Sequence, residues 1–167
     1  MSMNRHDMMP PCARIAQVDP NLADRMWNTT TGDDGGDRID ARMRSKGRTL
    51  CAACPMRLDC ISRALANGWK DQALYGGLDY PSRWALARLI GQDLDIRVND
   101  LHTLPQYRIR EWLATHPDWC RRMRLAGAGY WRETKRRERA RRAYTQETPV
   151  YHEPVPVPAG MIQGSLF

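Results

Sequence analysis

Where apolar positions recur along this chain, they do so at helical spacing, and the segments between them carry turn residues. Leu58, Ile61 and Leu65 predict a helix over about 55–67, with Pro55 suited to its first position and Gly68 supplying the stop. Before it, "RIDARMRSKGRTL" sets Ile39, Met43 and Leu50 in a charged stretch, the pattern of a short surface helix leading to Cys51. After it, Asp79 is placed to cap a helix that carries Trp84, Ala87, Leu89 and Ile90 and ends at Gly91. Pro105 opens another with Ile109, Trp112 and Leu113, ending at His116-Pro117. A further helix from Pro117 carries Trp119, Cys120 and Met123 until "AGAG" at 126–129 interrupts, and a basic helix runs from Tyr130 to about Tyr144. "NTTTGDDGGD", 28–37, reads as an exposed loop, and "ALYGGL", 73–78, as a tight turn. The Pro-rich segment after Thr148 is expected to be disordered or extended. The expected fold class is all-α.

Composition narrows the size of the core. The chain has 167 residues, 42% of them hydrophobic but with a single Phe, and its mean hydropathy is -0.66. A core built from less than the whole chain is expected. The net charge of +7 is concentrated: residues 121–142 hold ten Lys or Arg and two Glu, while the remaining 16 basic and 17 acidic residues nearly cancel. No apolar run approaches the length of a membrane span, and "MSMNRHDMMPPC" lacks the apolar region of a signal peptide. A cytoplasmic, reducing setting without membrane attachment is therefore expected, where clustered cysteines more often bind metal or do redox chemistry than form structural disulfides.

The cysteines carry the strongest chemical signal. Cys12, Cys51, Cys54 and Cys60 form C-x38-C-x2-C-x5-C. Cys51 and Cys54 have the short spacing that lets two thiolates converge, and Cys60 reaches the same centre if Cys54 sits at or before a helix start, where Pro55 puts it. Small buried cysteines filling space, a four-thiolate zinc site, an iron-sulfur cluster and a thiol-disulfide oxidoreductase using Cys51 and Cys54 are the open readings. Zinc usually takes two short knuckles, and only one is present. A cluster tolerates irregular spacing because its ligands attach to separate corners, and a helix N-terminus favours its negative charge. No alternation of strands and helices frames Cys51 and Cys54 as a thioredoxin-like pair. Cys120, beside Trp119 and Met123, reads as a packed helix residue. His6, His102, His116 and His152 show no metal spacing.

The order of one distal cysteine, C-x2-C-x5-C, a helix and a Gly-Gly turn preceded by an aromatic resembles the WhiB-like proteins of actinobacteria and their phages. The resemblance covers roughly residues 12–91. In place of that family's "G-[VI]-W-G-G" stands "ALYGG", with Ala73 at the first Gly and Tyr75 at the Trp. The resemblance implies a small helical domain holding a 4Fe-4S cluster on Cys12, Cys51, Cys54 and Cys60. It implies a redox- or nitric-oxide-responsive transcriptional regulator, not an enzyme and with no small-molecule substrate, that binds the C-terminal domain of the principal sigma factor. Tyr75, Gly76, Gly77 and Trp84 are then candidates for the partner surface, and Met26 and Trp27 for core packing. The organisation expected is an arm at 1–11, the iron-sulfur domain at 12–91, a connector at 92–104, a basic helical extension at 105–144 and a tail at 145–167.

The basic segment adds a nucleic-acid expectation. Arg132, Lys135, Arg136, Arg137, Arg139, Arg141 and Arg142 place positive charge on nearly every helical face, with Tyr130, Trp131 and Tyr144 interspersed. Such a segment would bind DNA phosphates in a salt-sensitive, sequence-independent way. Together with the two helices before it, it could form a helix-turn-helix. A zinc-stabilised nucleic-acid-binding module is the remaining alternative.

Overall fold

The computed structural model describes residues 9–32 and 35–147. The chain is mostly helical, and its contacts divide it into two units, Met1–Tyr130 and Trp131–Phe167. The expected arm up to residue 8 and the expected tail from 148 lie outside the described residues.

In the first unit, α1 (Pro11–Val18), α2 (Pro20–Trp27) and α3 (Ala41–Ala52) pack on one another. A short antiparallel pair joins the last two, with β1 (Thr30–Thr31) on β2 (Asp37–Arg38), where 28–37 reads as a loop in the sequence. Then follow α4 (Arg57–Ala66), α5 (Tyr80–Asp93), a 3-10 helix over Val98–Thr103, α6 (Gln106–Thr115) and α7 (Trp119–Glu147), which continues into the second unit.

Aspartates set three of the starts. Asp19, Asp40 and Asp79 each accept a backbone N–H three residues on, from Leu22, Met43 and Ser82, and Pro20 and Pro81 occupy the first two positions of α2 and α5. α4 starts two residues later than expected: Pro55 and Met56 form a turn, and Cys54 lies in the link between α3 and α4. Its end matches the glycine stop, because Trp69 N bonds Ala64 O and Gly68 N bonds Leu65 O, with Gly68 at φ +61°. α5 runs through Gly91 instead of ending there. A side chain at Gly91 would meet Ile96 O at 2.6 Å, so the glycine is needed where the returning chain crosses the helix.

Two apolar clusters hold the unit together. The smaller comprises Ala23, Met26, Trp27 and Leu74, with Cys12 and Cys51 packed at its margin. The larger joins Ile61 and Leu65 of α4, Leu86 and Ile90 of α5, Ile109, Trp112 and Leu113 of α6, and Trp119 and Met123 of α7. The segment 105–123, expected to begin a separate extension, therefore shares one core with α4 and α5. The division falls after Tyr130 and not within 92–104, because the apolar faces of α6 and early α7 are covered by the body. The connector itself is partly the 3-10 helix, with Leu101 buried in that core. The "AGAG" stretch does not interrupt: Gly127 and Gly129 lie inside α7, flanking the good helix former Ala128.

Candidate functional site

Three helices and one link bring the four cysteines to a common cavity. Cys12 is in the first turn of α1, Cys51 in the last turn of α3, Cys54 in the α3–α4 link and Cys60 in the first turn of α4. All four are half-buried, and all line a cavity of about 530 Å³ together with Trp27, Arg57, Tyr75 and Gly76. Cys120 is not among its lining residues; it packs against the larger core. Among the described residues, no group of three or more His, Cys, Asp or Glu is gathered tightly enough to hold a single metal ion. A tetrahedral zinc needs all its sulfurs about 2.3 Å from one point. The four thiols instead line a cavity much larger than a single ion.

The Gly-Gly turn supplies the electrostatic counterpart. Gly76 and Gly77 adopt φ +59° and +84°, and Tyr75 and Leu78 pair across the turn. A Cβ at Gly76 would lie 2.4 Å from Ile61 Cγ1, and one at Gly77 would lie 3.2 Å from Cys51 Cβ. The turn is thus pressed against α3 and α4, with the Gly76 amide directed at Cys60 and the Gly77 amide at Cys51. The indole Nε1 of Trp27 also donates to Cys51 Sγ at 3.2 Å. These donors work against burial. Burial pushes the Cys60 thiol up to about 11 and raises Cys51 as well, and the neighbouring thiols add to both shifts.

The expected partner residues separate. Tyr75 lines the cysteine cavity, but its hydroxyl donates to Asp71 Oδ2 at 3.0 Å and its ring lies 4.8 Å from both the Trp69 ring and the Arg83 guanidinium carbon. Trp84 lines a different cavity of about 430 Å³ between α4, α5 and the 3-10 helix. Trp69 lines both. Sequence reading passed over Trp69, although its place just after Gly68 is where a helix stop of this type seats a hydrophobic residue.

It also passed over three arginines, because nothing in the sequence marks an arginine as buried or shared. Arg83 is 2% exposed, and its guanidinium donates to the carbonyls of Trp69, Asp71, Ala73 and Leu78, fixing the segment that ends in the Gly-Gly turn. Arg44, equally buried, donates to the carbonyl of Gln72 in the same segment. Arg57 Nε donates to Gly76 O at 3.1 Å.

On α7, the candidate DNA contacts are exposed but partly paired within the helix. Glu133 bonds Arg136 and Arg137, and Glu138 bonds Lys135 and Arg142. Hydrogen bonding from Arg137 holds the Glu133 carboxyl below the usual carboxylate range. Lys135 also lies 5.9 Å from the Trp131 ring. Arg132, Arg139 and Arg141 are exposed on the same helix. Tyr130 belongs to the first unit, stacked under Arg88 at 4.4 Å.

The family models, the curated proteins and the solved structures offer no match to this chain. Among the described residues, no helix is long and apolar enough to cross a membrane.

Proposed function

We propose that this chain is a transcriptional regulator of the WhiB-like kind, holding a 4Fe-4S cluster on Cys12, Cys51, Cys54 and Cys60. The observation that carries the reading is the convergence of four cysteines, distant in sequence, on one cavity where two of them face the amides of a Gly-Gly turn. When bound, the cluster supplies a centre whose integrity depends on oxidants such as oxygen or nitric oxide. The residues do the rest: Cys12 fastens α1, while Cys51, Cys54 and Cys60 fasten the α3–α4 link. The Gly76 and Gly77 amides and the Trp27 indole stabilise charge on sulfur. A reducing compartment keeps these thiols available.

The exposed arginines and lysine of α7 bind DNA phosphates in this reading, and the principal sigma factor is the protein partner that the motif order suggests. The thiol-disulfide alternative is disfavoured because burial raises Cys51, whereas an attacking thiol benefits from a lowered pKa.

The deciding experiment is purification without oxygen, followed by absorption spectroscopy and assay of iron and acid-labile sulfide. Iron and sulfide in equal amounts, lost from the Cys12→Ala, Cys51→Ala, Cys54→Ala and Cys60→Ala variants, are expected. Zinc alone, or no metal with full solubility, would falsify the cluster. Co-purification with sigma factor and salt-dependent retention on DNA test the two partners separately.

A further inference from the structure

Arg57 touches the cysteine cavity and the root of the basic helix at once. It is the first residue of α4 and lines the cavity. Its backbone N–H bonds the carbonyl of Cys54 at 3.1 Å, and its Nε bonds the carbonyl of Gly76, whose own amide faces Cys60. On the other side, its second guanidinium nitrogen lies 3.7 Å from Cys120 Sγ, and its Cζ lies 5.1 Å from the centroid of the Trp119 ring. Trp119 and Cys120 are the first two residues of α7. Arg57 thus holds the turn that carries Cys54 through its backbone N–H, while its planar, forked cation spans the turn that faces Cys60 and the first turn of the helix that later bears the basic residues.

We propose that Arg57 is a positioning residue that couples the four-cysteine cavity to the root of α7, so that order at one end sets order at the other. The contacts stand by themselves; only the identity of the cavity's occupant rests on the cluster reading. If the α3–α4 link or the Gly-Gly turn shifts, Gly76 O and Cys54 O no longer hold Arg57, and Trp119 loses its cationic partner. The coupling is reciprocal: loosening Trp119 must also loosen the cavity.

The test is a double-mutant cycle in the reduced, metal-free full chain, reading the maleimide labelling rates of Cys54 and Cys60 by mass spectrometry. Arg57→Gln and Trp119→Leu should each speed labelling several-fold, and the double variant should add nothing to the larger single effect. Arg57→Lys, which keeps the charge but loses the fork, should fall between wild type and Arg57→Gln. Effects that multiply in the double variant would overturn the coupling. A measurement without substitutions guards against unfolded variants. Hydrogen exchange at 119–123 in the anaerobically purified wild-type chain should quicken several-fold once its cofactor is stripped by a chelator, with 107–115 unchanged. Equal exchange at 119–123 before and after stripping overturns the proposal. Should the purified chain contain no cluster, the reading above fails, while the labelling cycle still decides the coupling.

Discussion

The two apolar clusters of the first unit differ in how far they can support themselves. The helical side buries thirteen residues drawn from α4 to α7 and the segments between them, with Ile61, Leu86, Ile90 and Ile109 wholly enclosed. The cysteine side buries four, and its margin includes two of the cysteines. Burial of a large aliphatic side chain contributes about 1.5–3 kcal/mol, so the helical side has ample apolar driving force and the cysteine side little. A region with a small core relies on cross-links, and thiols gathered from three helices are the means at hand. In the proposed reading, the chain joins a well-packed scaffold to a part whose order depends on chemistry at sulfur.

The most damaging way to break this contrast is to hollow the scaffold. Ile109→Ala should cost about 2–5 kcal/mol in denaturant unfolding and lower the midpoint of the whole unit. Next comes the contact between scaffold and turn. Gly76→Ala forces a methyl into Ile61 at a left-handed φ and should cost about 2–3 kcal/mol, whereas Gly35→Ala, also left-handed but with nothing within 4 Å, should cost about 1 kcal/mol. Thermal unfolding of the two variants side by side separates packing from backbone strain. A smaller effect is expected from Cys12→Ser, which in the proposed reading unfastens α1: relative to the anaerobically purified wild type, hydrogen exchange in α1 and α2 should rise about tenfold, equivalent to about 1.4 kcal/mol, with α6 unmoved. Equal rises on both sides would erase the distinction.

Titration offers a gentler probe of the same side. The Cys60 thiol is raised from 9.0 to about 11 in the folded chain, so the folded state holds its proton more tightly than the unfolded one. The resulting stabilisation of the metal-free chain is complete below pH 9 and is lost as pH rises towards 11. Cys60→Ala should flatten that part of the stability profile. The least effect on the fold belongs to Glu133→Gln, which releases Arg136 and Arg137 from an exposed pairing. Folding should not change measurably, but the salt dependence of the proposed DNA binding should steepen by about one to two units of slope.

Much of this was legible in the sequence because it depends on local chemistry. The cap at Asp79, the glycine stop at Gly68 and the spacing of Leu58, Ile61 and Leu65 are short-range signals, and the helices they announce are present, whereas the sequence reading does not anticipate α1 and α2. The grouping of Cys12 with Cys51, Cys54 and Cys60 followed from spacing and from the order of motifs. The division of the chain was not legible: the apolar residues of α6 carry the same periodicity whether they cover a separate extension or, as here, the faces of α4 and α5. Nor was the fate of the arginines. Arg83 sits on a helix where an exposed position would look the same, and only the tertiary path of 69–78 turns it into a buried anchor.

That anchor has a further consequence. Apart from the short pairing of Tyr75 with Leu78, the path from Trp69 to Leu78 lacks a β ladder, and four of its carbonyls converge on one guanidinium. Arg44 takes the carbonyl of Gln72 and Arg57 that of Gly76, so three cations replace the missing ladder. Cationic side chains thus do for this path what neighbouring strands do in a sheet: they satisfy its carbonyls and so fix the approach of the Gly-Gly turn to Cys51 and Cys60.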